Sequence, residues 1–211
     1  MTQRIRSLLA RQLLARSTGR YVAAGWPVLP GAWWDGHRYR CPELTCRTTG
    51  LHPAHQSASA DPAVARAWWA AHPYTVLLPT GNAVDVLAVP GWAGRRVWRR
   101  LHLRGVPVPA ASLPGGDWLL FTAPSPAAPP ADDVATRVVH HGAGSWVPVP
   151  PSALDRGPVR WEHAPWVGDW TLPRSEVVLA ALATQRPRTI PRTAPNRRRS
   201  PCQLPDPIPP L

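Results

Sequence analysis

Between Cys41 and His55 the chain places four potential metal donors within fifteen residues, Cys41-Pro-Glu-Leu-Thr-Cys46-Arg-Thr-Thr-Gly-Leu-His52-Pro-Ala-His55. This feature constrains the fold most. The loop running from Gly31 to about Ala60 has little apolar surface with which to hold itself, and a bound ion would pin it. Two thiolates and two imidazoles form a donor set that tetrahedral zinc accepts, and Pro42, Gly50 and Pro53 supply turns that can aim the donors at one point. The spacing matches no common finger, because four residues separate the cysteines and two the histidines. The loop reads either as a structural zinc site of Cys41, Cys46, His52 and His55, or as two free thiols beside surface histidines.

A chain of 211 residues can bury one good core. The expected organisation is one domain over residues 1–185 and a tail over 186–211. The third cysteine, Cys202, lies in that tail, so there is no disulfide framework and the cytoplasm is the expected compartment. No apolar run reaches about eighteen residues, which argues against a helical membrane span. Residues 1–24 carry five arginines and no acid, a composition shared with organellar transit peptides. Ile5, Leu8, Leu9 and Leu13 recur at helical spacing, however, and lead directly into Gly25-Trp26-Pro27-Val28-Leu29-Pro30. A first helix docked on a sheet is therefore predicted.

Charge bears on partners. All 24 basic residues are arginine, against 12 acids, giving a net charge of +12. GC-rich codons account for part of an excess that extends to 29 prolines and 12 tryptophans. The scarcity of acids leaves a positive field all the same, and such a field favours polyanions, DNA foremost.

Asp61-Pro62 reads as an N-cap with proline at the first helical position, opening a helix over 63–72 with Val64 and Trp68 on its inner face. Residues 74–78 and 84–89 read as strands around the turn Pro79-Thr80-Gly81-Asn82. A helix from Trp92 to Arg104 points Val97, Trp98 and Leu101 inward and Arg95, Arg96, Arg99, Arg100 and Arg104 outward, with Gly105 as its stop. Further strands are expected at 118–122, 136–140, 146–149 and 159–162, and a last helix at about 174–185. The tail holds six arginines, eight prolines and one acid, so it is expected to be disordered, with Arg197, Arg198 and Arg199 its densest charge.

The order of landmarks over roughly Ala10 to Pro165 resembles the N-terminal domain of bifunctional DNA primase/polymerases, of the archaeo-eukaryotic primase-like group. The resemblance rests on Tyr21-Val-Ala-Ala-Gly25-Trp26-Pro27-Val28, on the Cys/His loop ending in His52-Pro53, and on Ala67-Trp68-Trp69 before Thr75-Val-Leu-Leu. Thr80-Gly81, Gly115-Gly116 and Gly142 to Gly144 leading into Trp146-Val-Pro-Val-Pro150-Pro151-Ser152 complete it. It implies an α+β fold, a mixed β-sheet with an RRM-like core flanked by helices, and nucleotidyl transfer with Mg²⁺ or Mn²⁺ held by carboxylates.

The pattern departs where that chemistry would sit. Its Asp-x-Asp strand ends here as Val86-Leu87-Ala88-Val89-Pro90, its histidine position is Trp118, and a further acid position is Ala143. Strand alternation puts Asp85 on the face of Leu87 and Val89, opposite Ala88. Asp117, Asp132 and Asp133 read as loop acids, and His140 and His141 as strand-end residues. In the Cys/His loop the resemblance implies Cys41, Cys46 and His52 as ligands, with the fourth place open to His55, His37 or water. Three readings follow. One is a degenerate primase/polymerase-like domain that binds nucleic acid or nucleotides in DNA replication through Arg95, Arg96, Arg99, Arg100 and the tail arginines, beside a replication-related protein partner. The second is an active enzyme using Asp85 or Asp117, and the third a zinc-stabilised protein-interaction domain.

Overall fold

A computed structural model describes residues 2–43, 45–125 and 137–184, with side chains from residue 11 onward. The expected tail, Asp132, Asp133 and Arg197 to Arg199 lie outside the described residues. The first helix, α1 (Thr2–Ala23), ends where Gly25 takes a left-handed φ of 78°. There the amide of Gly25 bonds the carbonyl of Val22 and that of Trp26 the carbonyl of Tyr21, each at 2.9 Å, a Schellman closure that turns the chain back onto its own helix. Leu14, Thr18, Tyr21 and Val22 form its buried stripe. Leu13, which the sequence periodicity put on the apolar stripe, is exposed, and its neighbour Leu14 is buried instead.

Strands β1 (Leu29–Gly31), β2 (Trp33–Trp34) and β3 (Tyr39–Arg40) lead into the Cys/His loop, and α2 (Pro62–Ala71) follows. Asp61 caps α2, its carboxylate accepting from the Ala63 amide at 2.7 Å. Its buried face carries Ala65 and Trp69 rather than the expected Val64 and Trp68. The Trp69 indole N–H reaches the carbonyl of Tyr74 at 2.9 Å, which lets that large ring be buried with its polar atom satisfied. Next come β4 (Thr75–Pro79), β5 (Asp85–Pro90), α3 (Gly91–His102), β6 (Ala110–Ser112) and β7 (Asp117–Thr122). After them stand β8 (Val139–His141), β9 (Trp146–Pro148), β10 (Ala153–Leu154), β11 (Gly157–Pro158), β12 (Arg160–His163) and α4 (Ser175–Ala183).

The fold is α+β. A five-stranded sheet runs in the order β12-β6-β7-β5-β8, and a three-stranded sheet in the order β1-β4-β9. The ladders among the described residues are antiparallel. The reason lies in connectivity: β5 and β6 run parallel across the α3 crossover, but β7 inserts between them and bonds to both. This is a split β-α-β unit. One face of the larger sheet packs with α1 and α2 around Tyr21, Trp26, Trp69, Val86 and Phe121. The other packs with α3 and α4 around Leu87, Val97, Leu101, Trp118, Leu120 and Val178. Burial on both faces explains why β5 reads as an almost unbroken apolar run. The short β6, with two alanines and a serine, carried no such signal.

The turn between β4 and β5 is locked to the loop before β9. Thr80 donates its hydroxyl to the Gly142 carbonyl at 2.6 Å, and its amide bonds Ser145 at 3.0 Å. Gly81 holds φ at 103°, and a Cβ there would lie 2.3 Å from the Ala143 Cα. Gly81→Ala is expected to cost about 2–4 kcal/mol through backbone strain and overpacking, read as a lower denaturation midpoint with an unchanged slope. An unaltered midpoint would show that these loops do not depend on their close approach.

Candidate functional site

The return limb of the Cys/His loop is tied to the strand that opens it. The Ala32 amide bonds the His52 carbonyl at 2.9 Å, the Ala54 amide bonds Pro30 at 2.8 Å, and Val28 and Ser59 exchange bonds of 2.9 and 3.0 Å. These tethers carry His52 to the cysteines. The ligand atoms of Cys41, Cys46 and His52 lie within 4.8 Å of one another, close enough to bind a metal ion. Cys46 Sγ stands 3.2 Å from His52 Nε2, while His52 Nδ1 lies 2.7 Å from the Gly50 carbonyl. A carbonyl can only accept, so Nδ1 carries the proton and Nε2 turns its lone pair toward the sulfurs. That is the tautomer a metal-bound imidazole needs, held by its outer partner.

Burial pushes the Cys41 thiol above its ordinary range; a hydrogen bond from the Glu43 backbone draws it partly back, and the neighbouring Cys46 raises it further. A divalent cation among the three donors would offset that by stabilising the thiolates. The donor set fits zinc with a fourth position left for a water or an outside ligand. His55 lies outside this group of three. Its ring packs 5.2 Å from Trp68 and 5.7 Å from Tyr74, and its Nε2 is buried with no partner among the described residues. The path of the loop decides this: Ala54 is tied to Pro30, and His55 falls on the α2 side of that tie. His37 lies in the β2-β3 hairpin, where its backbone amide and that of Arg38 donate to Asp35 at 2.9 and 3.0 Å, and it is not among the three clustered donors.

On the larger sheet, register assigns each residue to a face. Ala88 pairs with Leu119 and Val139, and Val86 with Phe121 and His141. Across β6 and β12 the same row continues through Ala111 and Trp161. The Ala88 face is thus an apolar surface with His141 at its edge, where the ring nitrogen Nδ1 meets Ser145 Oγ at 2.9 Å. Asp117, opposite Pro90, shares this face but is exposed at the strand end, two residues and about 7 Å along from Leu119. Of the other described carboxylates in this sheet, Asp85 lies on the opposite face and Glu162 is exposed at the bulge of the edge strand β12. Trp118 pairs with Val89 and points the other way, under α3, where Arg95 sits 5.9 Å over its ring. Ala143 is exposed on the loop that covers Gly81.

Asp85 faces away from Ala88, as strand alternation indicates. It is fully buried, and its Oδ2 accepts from the Ser125 amide and meets His140 Nε2, both at 3.0 Å. Asp85 and Asp117 therefore lie on opposite faces and cannot hold one ion between them. The Asp85–His140 pair was not anticipated; the sole clue was that Asp85 and His140 each fall on the strand parity of Leu87.

The outer side of α3 presents Arg95, Arg96, Arg99 and Arg100, all exposed, with Arg104 just beyond the helix and Trp92 half exposed in its first turn. The helix contains no acid. Among the described residues none of these arginines is in an ion pair; Arg100 donates instead to the Thr184 hydroxyl. The expected inner residues Val97 and Leu101 are buried, whereas Trp98 is partly exposed and stacks on His102 at 4.8 Å.

No helix among the described residues is long and apolar enough to cross a membrane. Among curated proteins and solved structures nothing matches the chain. Residues 18–192 match the family described as bifunctional DNA primase/polymerase, N-terminal, which takes in the Schellman turn, the Cys/His loop, both sheets and α3. With most of its length so matched, and its Thr80-Gly81 and Gly142 loops meeting beside the sheet, the chain belongs to the bifunctional DNA primase/polymerase N-terminal family.

Proposed function

We propose that the chain is a primase/polymerase-like domain that binds nucleic acid without performing two-metal nucleotidyl transfer, and that zinc holds its Cys/His loop. The observation that carries this reading is the Ala88 face, where Asp117 is the one described carboxylate that the strand register places. In-line phosphoryl transfer needs two closely spaced cations bridging attacking and leaving oxygens, and one exposed carboxylate does not hold such a pair. Replication is the setting such a domain serves, and Arg197 to Arg199 of the tail add to its positive field.

Binding rests on α3. Its twelve residues span about 18 Å, enough to follow several phosphates. Arg95, Arg96, Arg99 and Arg100 meet phosphate oxygens, which fixes position but reads no sequence. If four phosphates are neutralised, log K falls against log salt with a slope of about −3.6 on duplex DNA. Affinity then drops about a hundredfold between 50 and 200 mM salt. Changing Arg96 and Arg99 together to alanine is expected to flatten that slope by about two, as measured by fluorescence anisotropy. Affinity that ignores salt, or is absent for both single- and double-stranded DNA and RNA, contradicts the proposal and favours a protein-interaction domain.

When bound, zinc supplies a cross-link between the start and the end of the loop. Cys41, Cys46 and His52 hold it, and the Gly50 carbonyl keeps the imidazole turned toward the ion. One equivalent is expected on the purified protein, lost in Cys46→Ser and kept in His55→Ala. Because both thiols must give up protons, and burial holds that of Cys41 more firmly than usual, zinc affinity rises as pH is raised toward the thiol range and falls on acidification. Elemental analysis with a chelator competition series at several pH values measures both. Less than about half an equivalent on the unaltered chain would leave two free thiols.

A further inference from the structure

A cleft of about 480 Å³ opens between the end of α1 and the turn Pro165–Gly168, far along the chain from α3, and is lined by Arg20, Ala23, Ala24, Trp166 and Trp170. Trp166 is 42 % exposed. The Arg20 guanidinium lies 5.1 Å from the centre of its ring, and the Trp170 ring stands 6.0 Å away at 56°, so two indoles and a cation form an open V over a floor of small residues. Trp92 is about as exposed, but it lies on an open helix surface.

The V is held rigidly. Trp170 is braced edge-on by Trp26 at 5.2 Å and Tyr21 at 6.3 Å, and both rings belong to the core. Asp169 and Trp170 also take left-handed backbone angles, φ 51° and 59°, a conformation that residues with side chains avoid unless their surroundings impose it. An exposed tryptophan backed by a fixed second ring is a preorganised stacking platform. One turn before Arg20, Arg16 is also exposed. Arg16 and Arg20 share one edge of α1, and Arg20 lines the cleft.

We infer that this cleft takes one unpaired nucleobase of a single strand against Trp166, with the adjoining phosphates on Arg16 and Arg20. The inference rests on the nucleic-acid-binding reading of α3 and adds a second contact that distinguishes strand state: indole stacking needs a free base face, which a duplex does not offer.

The test uses the full chain with a short oligothymidylate and a duplex of equal length, titrated by anisotropy at one salt concentration. Trp166→Ala is expected to weaken single-strand binding about tenfold or more and to leave duplex binding unchanged, while Trp166→Phe retains most single-strand affinity. Changing Arg96 and Arg99 to alanine lowers both. If Trp166→Ala leaves single-strand affinity intact while the α3 variant still loses it, the cleft inference is overturned and the α3 reading stands. If the unaltered chain binds neither strand, both fall. An equal loss on single strand and duplex that phenylalanine does not restore would mark Trp166 as structural and overturn the inference. So would a proline-rich peptide that binds through Trp166 and is not displaced by the oligonucleotide.

Discussion

Strand β5 is buried on both sides, and the rest of the molecule is arranged around that constraint. Its odd residues, Asp85, Leu87 and Val89, look toward α3 and α4, and its even residues, Val86 and Ala88, look toward the core that α1 and α2 share. Because side chains alternate without exception along a regular strand, the identity of each residue also fixes the chemistry available on each face. The single acid of β5 went to the helix side. There it is shut away with His140, leaving the even positions of β5 to valine, alanine and proline.

That division shapes what the domain can do. The Thr80-Gly81 turn and the Gly142 to Ser145 loop meet beside the sheet through three close contacts. Ala88, where the resemblance led to the expectation of an acid, pairs with Leu119 and Val139, and Trp118 is turned away beneath Arg95. Meanwhile the positive charge of the chain is displayed outward, on α3 and on the edge of α1, where solvent and polyanions can reach it.

Much of this was legible before the coordinates. Asp61-Pro62 announced α2 because capping chemistry is local, and Asp85 could be assigned to its face because alternation is a rule of geometry. The outward arginines of α3 followed from its period. Other features depend on where distant segments meet. At Leu13 and in α2 the buried row lies one residue on from the apolar row, since several rows of apolar residues compete and packing chooses among them. His55 looked equivalent to His52, and the tie between Ala54 and Pro30 is what separates them. The insertion of β7 between β5 and β6 left no mark in composition. Nor did the exposure of Trp166, which depends on α1 and a turn some 140 residues away lying side by side.

The central claim is that the Ala88 face no longer supports two-metal chemistry, and a template-directed primer-extension assay tests it most directly. With the zinc-loaded full chain, a primed template, deoxynucleotides and either Mg²⁺ or Mn²⁺, the account predicts no product above the protein-free control. Extension that Asp117→Ala abolishes would contradict it, because the one carboxylate left on that face would then be holding catalytic metal.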